Sequence, residues 1–335
     1  MKAVLALIGA IAMVAVAVVV RNTFIEGDSS SPSTPITVVC AQEFSLQCGA
    51  IKNVTTRIEP AGVTADALTT SANPAFDVWV VPSPWPELVD SVRTAAGLDP
   101  LFLSAATPVA SSPLALVVRA ERASVVAATC KVAVTAIDWR CLGDQAGATW
   151  SSIGGSPTWG DVKPGIDTPP TSGIGLLVAA QALTSKVGRT DYGREVFEDS
   201  AIRDWFTRLA RSVPPSTIDS TPLERMLAVP ASYDAVGDAD AAITTQVQRA
   251  DATRKAQFTP VPPSGGATAV VVVAGLPGRS SARARVSDAL RNDPGRRLFK
   301  QSGWTVVTSD RPLATGLPDG GTMQVIRQQW VEALR

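Results

Sequence analysis

The chain contains no histidine. That absence removes Ser-His-Asp and Cys-His catalysis, imidazole acid/base work and nearly every catalytic zinc site together. GxSxG, HExxH, Walker and dinucleotide-fingerprint motifs are missing too, and no Ser/Lys dyad can be assembled from spacing, so no enzyme is expected. Net charge is also lacking: 30 basic residues balance 30 acidic ones, leaving no field to draw in a phosphate backbone, an anionic membrane surface or an acidic partner. Nucleic acid is therefore not an expected partner, and neither a metal nor a cofactor is expected. Internal repeats and low-complexity tracts are absent as well.

What is present is globular. The chain has 335 residues, 45% of them apolar and 18% charged, which at roughly 150 residues per domain allows two domains with a substantial core. Ala3 to Val20 is a run of 18 uncharged residues between Lys2 and Arg21; as a helix it is about 27 Å long and can just span a bilayer. The run is longer than a signal-peptide core and no small-x-small site or lipobox cysteine follows it. It is read as an uncleaved, single-pass transmembrane anchor (residues 1–21), with a cleaved signal as the alternative, and the weak charge bias favours a cytoplasmic start. Residues 22–35, with GDSSSPSTP, form a linker.

The four cysteines fall into two local pairs, Cys40 with Cys48 and Cys130 with Cys141. An even count in an exported chain predicts two short-loop disulfides, each stabilising by about 2 to 3 kcal/mol in the chain-entropy view, and their spacings match neither zinc ribbons nor C-x2-C redox sites.

Periodicity predicts strands at Ile36–Cys40, Val54–Ile58, Asp77–Val81, Leu114–Arg119 and Ala267–Ala274, with helices between them, including Gly62–Thr70 with Thr64 as a possible cap. Such alternation is an α/β pattern with a parallel sheet. At the C-terminal end Met323, Ile326, Trp330 and Leu334 make a helical stripe to be docked on the core.

The order of these pieces resembles the type 2 periplasmic (solute-binding) protein fold, in particular the molybdate- and sulfate-like group. The segments that carry the likeness are ITVVCAQEF, RIEPAGVTADAL, AFDVWVVPSPWPELV, DVKPGIDTPPTSGIGLLVAAQAL, YDAVGDADAAITTQV and SSARARVSDALRNDPGRRLFKQSGW, together covering nearly all of residues 36–304. The resemblance implies an α/β, two-lobed architecture, each lobe a mixed, mainly parallel sheet flanked by helices, after the N-terminal transmembrane helix. Lobe 1 is expected at residues 36–114 and 265–335, lobe 2 at 115–264. It implies an extracytoplasmic binding protein that closes two lobes over a small polar ligand for ABC-type uptake or sensing. An ABC permease or another envelope protein would be its partner. An envelope interaction protein that keeps the fold without binding a ligand is the alternative.

Ligands in such sheets sit beyond the carboxyl ends of the strands, where helix N-termini and loop serines supply donors. The candidate residues are Gln42, Glu43, Gly62, Ser83, Ser112, Thr171, Ser172, Gly173 and Tyr233, with Trp85, set between prolines, as a stacking face at the cleft mouth. Asp238, Asp240, Glu195, Glu198 and Asp199 read as solvated charges. The first loop departs from the oxyanion-binding members, which carry small hydroxyl residues where Gln42 and Glu43 stand here. A carboxylate about 5 Å from an anion at an effective dielectric of about 20 costs on the order of 3 kcal/mol, so the expected ligand is neutral or cationic.

Overall fold

The computed structural model describes residues 35–71, 74–102, 106–215, 220–262 and 266–335. The expected membrane anchor and most of its linker lie outside the described residues, among which no helix is long and apolar enough to cross a membrane. The described strands are β1 (Ile36–Ala41), β2 (Val54–Glu59), β3 (Val78–Ser83), β4 (Thr107–Arg119), β5 (Pro164–Gly165), β6 (Ala235–Ala239), β7 (Phe258–Val261), β8 (Thr268–Gly275) and β9 (Thr305–Val306). The helices of more than one turn are α1 (Ala61–Thr70), α2 (Trp85–Ala95), α3 (Ala120–Cys130), α4 (Trp139–Gln145), α5 (Gly173–Val187), α6 (Ser200–Ser212), α7 (Pro222–Ala228), α8 (Asp240–Arg249), α9 (Ser280–Arg291), α10 (Gly295–Gln301) and α11 (Gly320–Ala333).

Two lobes share one strand. In the first, the order is β2-β1-β3-β8-β4, with β9 also pairing on β4; in the second, β4 continues into β4-β6-β5, with β7 also pairing on β4. Thr107 to Pro113 of β4 lie against β8, and Leu114 to Val118 against β6. The expected strand began only at Leu114. Its earlier half was hidden because Pro108, Pro113 and two serines interrupt the apolar run, whereas the valine-rich β8 supplies the partner that fixes them.

The sheets are not mainly parallel. Parallel pairing is confined to β2-β1-β3 and the short β5-β6 pair, while β3-β8, β8-β4 and every pair that β4 makes are antiparallel. The chain leaves the first sheet along β4 and returns along β8, so the two crossover strands run head to tail.

Helix α5 is buried around nearly its whole circumference, as its sequence GIGLLVAAQAL dictates, and packs against α4, β6 and the end of β3. Both expected disulfides are formed, Cys40–Cys48 and Cys130–Cys141. Thr64 lies inside α1 rather than at its cap: Pro60 takes that place, and the Thr64 hydroxyl donates to Glu59 Oε2 at 2.9 Å.

The C-terminal stripe docks as α11 across both lobes, against α2 on one side and α5 and α6 on the other. Met323, Ile326 and Trp330 are buried, and Trp330 meets Phe206 edge to face at 5.7 Å. Leu334 is instead 57% exposed, because the helix ends at Ala333, which takes the inward position. Gly320 sits so close to α2 that a Cβ would stand 2.3 Å from the Glu87 carbonyl carbon.

Candidate functional site

Three loops at the carboxyl ends of β1, β2 and β3 converge on one segment of the second lobe, Asp167 to Gly173, which leads into α5. Ser172 caps that helix: a short hydroxyl residue ahead of an apolar run is the sequence signature of an N-cap, and its Oγ accepts from Gly175 N–H at 3.0 Å. From the other lobe, the Gly62 N–H donates to Thr171 O at 3.0 Å, and a Cβ on Gly62 would fall 2.0 Å from Pro170 O. Only glycine lets these two backbones meet.

Glu43 reaches across in the same way. Its Oε1 accepts from the Ser172 hydroxyl at 3.0 Å and from Ile174 N–H at 3.1 Å, while Oε2 is buried with no hydrogen-bond partner. Desolvation pushes the Glu43 carboxyl up, against the pull of its own and the Ile174 amide, and the Asp167 charge pushes the same way. Asp238, at the end of β6, is half-buried and its carboxyl is raised to about 7, chiefly by burial and then by the charges of Asp167, Glu43 and Glu224. Asp238, expected as a solvated charge, is carried inward by a short, alanine-rich strand that has no apolar run to reveal it. Among the described residues no ion pair involves Glu43, Asp167 or Asp238, and no acidic group is arranged to hold a metal ion.

The other expected residues divide. Ser83 is half-buried beside these loops, its hydroxyl donating to Glu87 Oε1 at 3.4 Å; Thr171 donates to Thr168 O at 3.4 Å; Gln42 is exposed. Gly173 is buried, and its carbonyl accepts from Trp85 Nε1–H at 3.1 Å. Trp85 is therefore not an open stacking face. As the first residue of α2 it turns its indole into the interlobe contact, fully buried, and the Arg327 guanidinium closes over the ring at 5.6 Å. Nothing in the sequence around Arg327 marks it for this contact. It comes from α11, donates to Pro170 O at 2.8 Å and holds Asp66 with two bonds of 2.6 and 2.8 Å.

Ser112 does not join the loops. It is buried within β4, where its hydroxyl accepts from Ala241 N–H at 2.9 Å and so anchors α8, because the strand begins earlier than its pattern suggests. Tyr233 is buried among Leu223, Met226 and Phe258 on the second-lobe side; burial raises its phenol, with Arg225 pulling it down and Asp167 pushing it up.

A solvent-open depression of about 650 Å³ lies elsewhere, beside α6, lined by Trp159, Lys163, Asp204 and Arg211 among others. Two of its three cations are engaged, Lys163 Nζ with Ala231 O at 2.6 Å and Arg211 Nε with Ala333 O at 2.7 Å, and the third is Arg208. The converging loops, polar and negative in balance, are the better candidate site.

A family model described as bacterial extracellular solute-binding protein matches residues 29–305. No curated protein matches the sequence. Among solved structures, the periplasmic binding protein AfuA from Actinobacillus pleuropneumoniae, with fructose-6-phosphate bound, aligns at 15% identity and TM-score 0.55 over 90% of this chain and 98% of its own. A periplasmic thiamin-binding protein aligns at 13% and 0.55 over 90% and 96%. Iron-bound HitA from Pseudomonas aeruginosa aligns at 16% and 0.52 over 90% and 97%. These likenesses show a common two-lobed α/β fold.

Proposed function

This chain belongs to the family of bacterial extracellular solute-binding proteins, and from that premise we propose that it binds a small polar solute, neutral or cationic, between its two lobes outside the cytoplasm. The apolar run Ala3 to Val20 would tether it to the membrane, and an ABC permease or another envelope protein would receive the solute or the signal. The observation that supports the reading is the convergence of the β1, β2 and β3 loops on the amino terminus of α5, with Glu43, Gly62 and Trp85 bonded to Ser172, Thr171 and Gly173. The solute's charge class follows from the acidic balance of this end of the cleft: Asp167 pushes both Glu43 and Asp238 up, and no lysine or arginine forms an ion pair with any of the three among the described residues, so an anion would meet no counter-charge there and an ammonium group would supply one.

A thermal-shift screen of the full-length protein in detergent, with sugars, amines and amino acids beside sulfate, phosphate and molybdate, tests this reading. A binder present at a hundred times its Kd stabilises the protein by about 2.7 kcal/mol. Saturable shifts with a neutral or cationic solute are expected; micromolar binding of an oxyanion would overturn the charge class.

A second reading has its own observation. The lobes already satisfy one another, Gly62 with Thr171, Trp85 with Gly173 and Glu43 with Ser172. That suits an envelope interaction protein that keeps the fold without a ligand, and a screen with no hit but with a co-purifying membrane partner would favour it.

A further inference from the structure

We propose that the Glu43 carboxylate is an internal ligand: it fills an anion seat at the start of α5 and thereby keeps external carboxylates, sulfates and phosphates out of the cleft. The seat has two converging donors, the Ser172 hydroxyl at 3.0 Å and the Ile174 N–H at 3.1 Å, both directed at Oε1. Ser172 is primed to donate because its lone pair already accepts from Gly175 N–H, so the proton on its Oγ is free for an acceptor. Behind them stands the positive end of a 15-residue helix, the part of a helix that attracts negative charge. An N-terminus alone would say nothing of a ligand. Here a carboxylate delivered from the opposite lobe occupies it, and its second oxygen is buried with no partner, as an end bound for occupancy rather than for its own solvation.

Two features mark Glu43 as a guest from the other lobe and not an ordinary capping residue. It is 129 positions from Ser172 in sequence, so the bond closes the cleft rather than a local turn. No lysine or arginine forms an ion pair with it among the described residues, so its hold depends on the seat. The Gly173 backbone fits around it closely, with a Cβ there lying 3.1 Å from Oε1.

The role in excluding anions rests on the solute-binding reading; the occupied seat does not. Both are separated by calorimetry on full-length wild type, Glu43→Ala and Glu43→Gln, titrated with sodium acetate, sodium sulfate and the neutral and cationic panel. Removing the side chain should vacate the seat, so Glu43→Ala is expected to bind acetate or sulfate at least tenfold more tightly than wild type. Glu43→Gln, whose amide oxygen still accepts both bonds, should gain nothing. Equal anion binding by all three proteins, or none by a Glu43→Ala protein that keeps its circular dichroism and both disulfides, overturns the internal ligand. Should Glu43→Ala fail to fold, Glu43→Ser is judged by the same two criteria. A gain in anion binding without any solute hit for wild type leaves the seat standing and removes the exclusion role; a solute hit without the gain leaves the solute-binding reading standing and removes both the seat and the exclusion role that depends on it.

Discussion

Two acids, Asp234 in the second lobe and Glu43 reaching across from the first, are treated in opposite ways. Asp234 is fully answered: Arg122 Nε donates to it at 2.5 Å, Trp150 Nε1 at 3.2 Å and Lys163 N–H at 2.8 Å, and Arg122 is itself packed between the rings of Trp150 and Trp159. Glu43 has hydrogen bonds to one oxygen, none to the other, and acids rather than bases around it. The comparison teaches where each charge belongs. A charge whose two oxygens are both met serves the fold, because removing it would strand its partners; a charge left half met, in a cleft between lobes, is the one available to a ligand.

The largest effect that would break the comparison is at the structural acid. Asp234→Ala leaves the buried Arg122 with only the half-exposed Glu121 carboxylate as a charged partner, and a loss of about 3 kcal/mol is expected in urea unfolding; a loss near zero would mean that Asp234 is no more structural than Glu43. Next comes pH. Asp238 keeps its proton in the folded state up to about pH 7, whereas the unfolded chain loses it near 3.8. Its contribution is therefore complete below about pH 4 and falls as pH rises through 7, by about 2 kcal/mol between pH 5 and 8. Glu43 acts in the same direction. Asp238→Asn should flatten that slope in melts across the range while leaving the Asp234 region untouched. Smaller still, Glu43→Gln removes a buried charge but keeps an acceptor for Ser172 and Ile174, and a gain of about 1 kcal/mol is expected at pH 8; a clear loss would place Glu43 with the structural acids. The smallest concerns Trp159, half-buried, whose ring lies 4.3 Å from the Arg122 guanidinium. Trp159→Leu should cost about 0.5 to 1 kcal/mol by removing one face of that stack, read as a shift in urea midpoint.

Much of this architecture was legible because its signals are local. An N-cap serine before an apolar run marks α5, β-branched runs mark β1 and β8, and paired cysteines at short spacing mark both disulfides. The candidate loops around Glu43, Ser83 and Ser172 were legible for the same reason. What escaped depends on distance along the chain. Nothing near residue 43 says that it will meet residue 172, and nothing in the stripe of α11 says that Arg327 will cover Trp85 and so take away an aromatic face that its flanking prolines made plausible. Asp238 escaped through composition, since Ala, Gly and Asp make a strand only when β4 stands beside it. Ser112 was misplaced because prolines masked the first half of β4, so a serine that holds a helix looked like one that awaits a ligand.

The single strand β4 has a mechanical consequence. Its two halves are built into different sheets, so one length of backbone acts as a torsion bar: the lobes cannot turn against each other without changing its twist near the junction of Pro113 and Leu114. Any event in the cleft is thus transmitted to amides that lie outside it. Deuterium uptake at Leu114, whose N–H is bonded to Ala267 O at 2.9 Å, would register that torque as a change of rate even where no side chain of the cleft is observed.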